Sequence, residues 1–240
     1  MCKKVISILG VCLLLLGAAL LVPACGKEKE ETPAPTATPS ADRMDTKIGV
    51  SALVALADSH ISSYANALEA LAMTQEVQSG NWEEMVGLLK NVEQAQVPGT
   101  MWFVLPDGSY STVAQGKTDK NLSDRSYFPG LMAGNKVLGD VVFSKSTGKK
   151  SLIAASPVVR DGKVIGGLGV SIFLDDLSKT LVKELGLSED MVFYATTDTG
   201  DVVLHSDVQL ITQEKPVLSQ EVVFETSPLT GWRFALGFKD

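Results

Sequence analysis

After residue 100 the chain breaks into short runs of β-forming residues joined by tight turn signals. Residues 101–105 and 110–114 flank Pro106-Asp107-Gly108-Ser109, and 138–144 and 151–159 flank Lys145-Ser146-Thr147-Gly148-Lys149-Lys150. Val158-Val159 and Val164-Ile165 flank Arg160-Asp161-Gly162-Lys163. Connections this short join antiparallel neighbours, because a parallel crossover takes a dozen residues or more. A doubly wound nucleotide fold is therefore excluded. Pro157 lies inside one run and has no N–H for a ladder, so its strand is expected at an edge or bulged there.

The segment before these runs has helical periodicity. Ile48, Leu53, Leu56, Ala57, Ile61, Tyr64, Ala65, Leu68, Leu71 and Ala72 recur mostly every three or four residues, predicting a long amphipathic helix from about Asp45 to near Gly80. Asn81 with Glu84 makes a capping-box-like start for a second helix, which Pro98-Gly99 stops. Short helices are expected at 126–133 and 175–185, the latter with Leu177, Leu181, Val182 and Leu185 on one face. Strands at 191–196, 202–205, 221–225 and 232–238 close the chain, with Asp198-Thr199-Gly200-Asp201 turning between the first two. Some fifty residues are thin for an independent core, so this lobe is expected to lean on the long helix or the main sheet. The fold class is α+β.

The N-terminus reads as an export signal. Lys3-Lys4 precede an apolar run from Val5 to Val22. That layout suits a secretory signal, or a membrane helix just long enough to span. Leu21-Val22-Pro23-Ala24-Cys25-Gly26 resembles a bacterial lipobox, with a small residue before the cut and a cysteine thiol to take lipid. The resemblance implies a signal peptide over 1–24 and an acylated Cys25. Two or more chains are needed for firm anchoring. Within the tether expected over 25–44, Gly26 to Arg43 contains three prolines and no aliphatic residue larger than alanine, the composition of a disordered segment. Cleavage removes two lysines and leaves 19 basic residues against 28 acidic, a net charge of −9. A nucleic-acid binder needs a basic face for phosphates, so no nucleic-acid partner is expected. A single lipidated cysteine leaves no disulfide, no thiol nucleophile and no cysteine metal site.

The middle of the chain resembles a Cache domain, the PAS-like extracytoplasmic sensor of bacteria and archaea. The residues that carry the likeness are Asp107-Gly108-Ser109-Tyr110, then Asn121-Leu122-Ser123-Asp124-Arg125-Ser126-Tyr127-Phe128. Gly139-Asp140-Val141-Val142, Ser146-Thr147-Gly148-Lys149, Ala155-Ser156-Pro157-Val158 and Val164-Ile165-Gly166-Gly167-Leu168-Gly169 continue it. The tail resembles the shortened second lobe of a double Cache. The likeness implies a long N-terminal helix packed on a mostly antiparallel PAS-like sheet over 45–187, with a small C-terminal β-rich lobe over 188–240.

It also implies reversible binding of a small molecule between the sheet and an overlying helix and loop. In relatives that recognise amino acids, an arginine holds the carboxylate, an aromatic two residues on packs over it, and a late aspartate takes the amine. Arg125 and Tyr127 match the first two. Lys120 stands where a further tyrosine is expected, and Ser171 falls near the aspartate position. An arginine fork fits a carboxylate, and no residue remains for an ammonium. The expected ligand is a small organic anion without a required amine. Ser144, Ser156 or Ser171 are candidates to donate to it. Trp102 and Tyr110 are candidate pocket walls, and Phe128 is a wall or plain core. Without the family pattern, Arg125 reads first as a surface or structural ion pair with Asp124 or a neighbouring carboxylate.

No cofactor and no metal site is expected. His60 and His205 have no paired-ligand spacing, no serine lies in a nucleophile elbow, and Gly166-Gly167-Leu168-Gly169 lacks the helix that a phosphate loop opens. Small residues there suit the approach of a helix or ligand to the sheet. The chain is read as a non-enzymatic, membrane-anchored extracytoplasmic lipoprotein. Sensors of this family usually continue into a kinase or methyl-accepting domain. Here no later apolar run follows, so signalling is expected to pass to a separate membrane receptor, kinase or transporter. The competing class is an interaction or scaffold lipoprotein that kept the fold without a pocket.

Overall fold

Helix α1 spans Thr46–Ala72, and Asp45 caps it by accepting from the amides of Lys47 (2.8 Å) and Ile48 (3.2 Å). The structure, a computed structural model, describes residues 45–211 and 222–239. The cleavage site, Cys25, the tether and Glu221 lie outside the described residues. Val50, Leu53, Val54, Ala57, Ile61, Tyr64, Leu68 and Leu71 form the buried stripe of α1. Ile48 was expected on that stripe but is 69% exposed. At 3.6 residues per turn it points almost opposite Ala57.

The first helix stops well short of Gly80. The Thr74 hydroxyl donates to the Leu71 carbonyl (2.8 Å) and starts the short helix α2, Gln75–Gln78. Helix α3, Trp82–Ala95, is capped by Asn81, which accepts from the Glu83 amide (3.2 Å). Glu84 bonds the Asn81 side chain (2.9 Å) rather than its backbone amide, which donates to Ser79 Oγ (3.0 Å).

Six strands form the main sheet: β1 Gly99–Val104, β2 Ser109–Thr112, β3 Gly116–Asn121, β4 Val137–Phe143, β5 Lys150–Arg160 and β6 Lys163–Phe173. Their order is β3-β2-β1-β6-β5-β4, and every neighbouring pair is antiparallel. Strand β3 was not expected. Its sequence, GKTDKN, has no apolar residue to alternate, because it is an exposed edge strand paired only with β2. Pro157 is tolerated as anticipated. The β4 ladder ends at Val137↔Ala155, so beyond it β5 has only β6 beside it, with Pro157 opposite Gly167.

Helix α4, Phe128–Met132, lies within the helical stretch expected at 126–133. Helix α5, Leu174–Leu185, follows β6 and ends at Gly186, whose φ of 59° is left-handed. A second sheet holds β7 Met191–Thr196, β8 Val202–His205, β9 Val223–Thr226 and β10 Arg233–Phe238, ordered β8-β7-β10-β9.

Helix α1 packs on β5 and β6 of the first sheet and on β9 and β10 of the second. One continuous core therefore includes Leu53, Ile61 and Tyr64 of α1, Leu168 and Ile172 of the first sheet, and Phe193 and Phe234 of the second. Each such side chain contributes about 1.5–3 kcal/mol by leaving water. The second sheet leans on the long helix, as its size required. The far face of the first sheet carries a smaller cluster. Trp102, Val104, Tyr110, Ile153 and Ala155 meet Leu122, Tyr127, Phe128 and Leu131 there.

Candidate functional site

Two segments close over that far face. Gly108, at φ 84°, turns the β1–β2 hairpin, and its carbonyl accepts from the Leu122 amide (2.8 Å). Asn121 Nδ2 donates to the Asp107 carbonyl (2.9 Å), which pins the 121–127 segment across the hairpin. Backbone turns from Arg125 to Leu122 (3.0 Å) and from Phe128 to Arg125 (3.0 Å) then lead into α4. On the other side the β4–β5 turn is closed by Ser144 N–H to the Lys149 carbonyl (2.9 Å) and Gly148 N–H to the Ser144 carbonyl (2.8 Å).

Between them lies a cleft of about 260 Å³, lined by Trp102, Tyr110, Leu122, Arg125, Tyr127, Val142, Ser144, Lys145, Ser146, Ile153 and Ser171. Its lining holds two cations, three serine hydroxyls and no carboxylate. Arg125 Nη2 donates to the Phe143 carbonyl (2.6 Å), while its Nε is buried without a partner. Asp124 does not pair with Arg125. It bonds Lys145 Nζ (2.5 Å), which holds its carboxyl below the usual aspartate range, and Lys145 also donates to the Asn121 carbonyl (2.7 Å). Lys120, standing where a tyrosine was looked for, donates to the Lys145 carbonyl and so joins the two covering segments.

The floor is built by alternation along the sheet. Trp102 Nε1 donates to Ser171 Oγ (3.2 Å), and its ring stacks near Tyr127 with centroids 6.3 Å apart. The Ser144 and Ser146 hydroxyls are 3.2 Å apart. Burial raises the pKa of the Tyr127 phenol and of the Tyr110 phenol, whose hydroxyl has no hydrogen-bond partner. Both phenols are therefore neutral donors at physiological pH. Unsatisfied buried donors such as Arg125 Nε and Tyr110 OH are costly when left unmade.

Six of the eight residues singled out from sequence come together here: Arg125, Tyr127, Trp102, Tyr110, Ser144 and Ser171. Phe128 is buried with the small cluster at the start of α4 and does not line the cleft. Ser156 shares a face of β5 with Ala154 and Val158, which belong to the α1-side core, so it points away from the cleft. Lys145 and Ser146 went unrecognised, because a turn has no periodicity to give its side chains a direction. Val142 and Ile153 were readable from strand alternation alone.

The two histidines lie apart from the cleft. His60 bonds Glu184 (2.9 Å), and buried His205 accepts the Asp207 amide at Nδ1 (2.8 Å) with Nε2 unpartnered.

No protein-family model matches the chain, and no curated protein does. Solved structures do. The sensor domain of the histidine kinase DctB of V. cholerae matches with a TM-score of 0.60 and 13% identity, over 81% of this chain and 96% of that one. The ligand-binding domain of the Pseudomonas fluorescens chemoreceptor CtaA, in complex with L-valine, matches with a TM-score of 0.61 and 13% identity, over 81% and 95%. That of the Pseudomonas aeruginosa PAO1 amino acid chemoreceptor PctC, in complex with GABA, matches with a TM-score of 0.59 and 15% identity, over 80% and 94%.

Proposed function

We propose that this chain, which has the fold of a Cache-type sensor domain, is the ligand-binding part of a membrane-anchored extracytoplasmic lipoprotein that reversibly binds a small organic anion. The observation that carries this reading is Arg125, which lines the cleft with its Nε unpartnered and no carboxylate beside it in the lining, while Lys145 there is already paired with Asp124. An ion pair formed in a desolvated site is stronger than in water. CtaA and PctC are held with L-valine and GABA, which carry amines as well as carboxylates. Here the aspartate of relatives that recognise amino acids falls near Ser171, and no acidic residue lines the cleft, so a carboxylate without an ammonium fits the charges better.

In this role Arg125 is the anion anchor, Lys145 supports it electrostatically, and Ser144, Ser146 and Ser171 offer hydroxyl donors. Binding, rather than turnover, is the activity. The lipid on Cys25 holds the module at the membrane, and a separate receptor, kinase or transporter reads the bound state.

Isothermal titration against amino acids and amine-free mono- and dicarboxylates tests the ligand class. Carboxylate binding that weakens at least about tenfold in Arg125→Gln is expected. Amino-acid binding with carboxylates silent overturns it. Radiolabelled fatty acid incorporated equally into wild type and Cys25→Ala overturns the anchor. The competing reading is a scaffold lipoprotein without a ligand pocket. It draws on how little open room the cleft has, about that of a single water. Silence across the whole panel, with no thermal stabilisation by any member, favours it.

A further inference from the structure

The cleft is narrow for an identifiable reason. Trp102 and Gly169 are directly opposed across β1 and β6. The indole leans over Gly169 so closely that a Cβ there would stand 2.3 Å from Cζ2 and 2.4 Å from Cη2. Only glycine leaves that space, and the ring fills it. The indole is then locked from three sides: by the Gly169 backbone below, by its N–H bond to Ser171 (3.2 Å), and by the Tyr127 ring at 6.3 Å. Trp102 is only 2% exposed, so solvent does not compete for the position. The 10 Å³ open to a water-sized sphere is about what one water needs.

We propose that Trp102, admitted by Gly169, is the size filter of this site, and that the site takes anions of formate or acetate size while rejecting longer chains. The proposal rests on the anion-binding reading of the same cleft. Arg125 and Lys145 set the sign of the ligand's charge. Trp102 sets how far the ligand extends behind that charge. A longer acyl chain must either displace a ring that is packed on both faces and hydrogen-bonded, or remain in water.

Titration of formate, acetate, propionate and butyrate into wild type, Trp102→Ala and Arg125→Gln at fixed ionic strength tests this. Wild-type affinity falls at least about tenfold from acetate to butyrate. In Trp102→Ala butyrate binds at least about tenfold tighter than in wild type, with acetate little changed. If Trp102→Ala has lost its native circular-dichroism melt, Trp102→Leu replaces it and shifts the order in the same direction. Carboxylates that bind in an Arg125-dependent way with the same chain-length order in both proteins overturn the size filter and leave the anion reading standing. No binding of any acid to either protein overturns both.

Discussion

Single glycines divide the labour on β6. The run Gly166-Gly167-Leu168-Gly169 was readable as room for a close approach, but not for whose. The structure assigns each one. Gly169 admits the Trp102 indole, Gly167 admits Leu131 of α4, and Gly166 admits the Val104 carbonyl and Phe103 ring on the other face. A Cβ at residue 167 would stand 2.5 Å from Leu131 Cδ2 and 2.9 Å from Cγ, and Leu131 is fully buried. Overpacking of this kind costs about 1–3 kcal/mol. Gly167→Ala is therefore expected to lower the melting temperature by several degrees, at roughly 2–4 °C per kcal/mol for a domain of this size. Gly87, inside α3 with nothing within 4 Å of a new Cβ, is the control. There the same substitution stabilises by about 0.5–1 kcal/mol, since alanine is the better helix former. Equal melting shifts of the same sign at both positions contradict this account.

At the scale of elements, periodic signals were readable and aperiodic ones were not. Strands β7 and β8 were placed to the residue because they are short runs buried throughout and bounded by turn signals, and the end of α5 because its apolar face repeats up to Leu185. Strand β3 escaped because it buries nothing, and α1 was drawn too long because Thr74 ends it through one hydroxyl rather than through glycine or proline. Of the candidate site, Trp102, Tyr110 and Ser171 were legible on strands, and Arg125 and Tyr127 through the motif around them. Lys145 on the β4–β5 turn was not, because it is aimed by bonds to Asn121 and Asp124, more than twenty residues away in sequence. Long-range bonds also dock the second sheet. Ser227 Oγ donates to Asp58 of α1 (2.6 Å) and accepts from the amides of Leu229 (3.1 Å) and Thr230 (3.0 Å), so one buried hydroxyl ties the β9–β10 turn to the helix. Ser227→Ala is expected to cost about 1–3 kcal/mol, since it leaves those amides unsatisfied. A double-mutant cycle with Asp58→Ala measures the tie, with a coupling of about 1.5–3 kcal/mol for a bond to a charged acceptor. Additive single-mutant effects in urea unfolding argue against it.

For the whole molecule, the shared core on α1 means that a group buried in the second sheet bears on the stability of the entire fold. His205 is such a group. It is 2% exposed on β8, its Nδ1 accepts the Asp207 amide, and Nε2 has no partner. Burial pushes its pKa below the usual histidine value of 6.5, against the opposing pull of Asp207. The unfolded chain therefore binds the proton more readily than the folded one. By linkage, stability is fully present above about pH 6.5 and is lost as pH falls through the lower folded pKa. The loss reaches at most about 1.4 kcal/mol per pH unit for one proton. Glu93 acts in the opposite sense. Burial raises its pKa, outweighing the amide bond from Met101 (2.7 Å), so its contribution is present at low pH and fades as pH rises. Glu93 acts upward from about pH 4.5 and His205 downward from about pH 6.5, so wild type alone does not separate them. His205→Gln removes one and leaves the other. Urea unfolding followed from pH 7.5 to 5 is expected to show wild type losing stability relative to His205→Gln as the pH falls, whatever the absolute stability of the variant. Parallel curves for the two proteins mean that His205 either titrates normally in the folded state or stays uncharged in both.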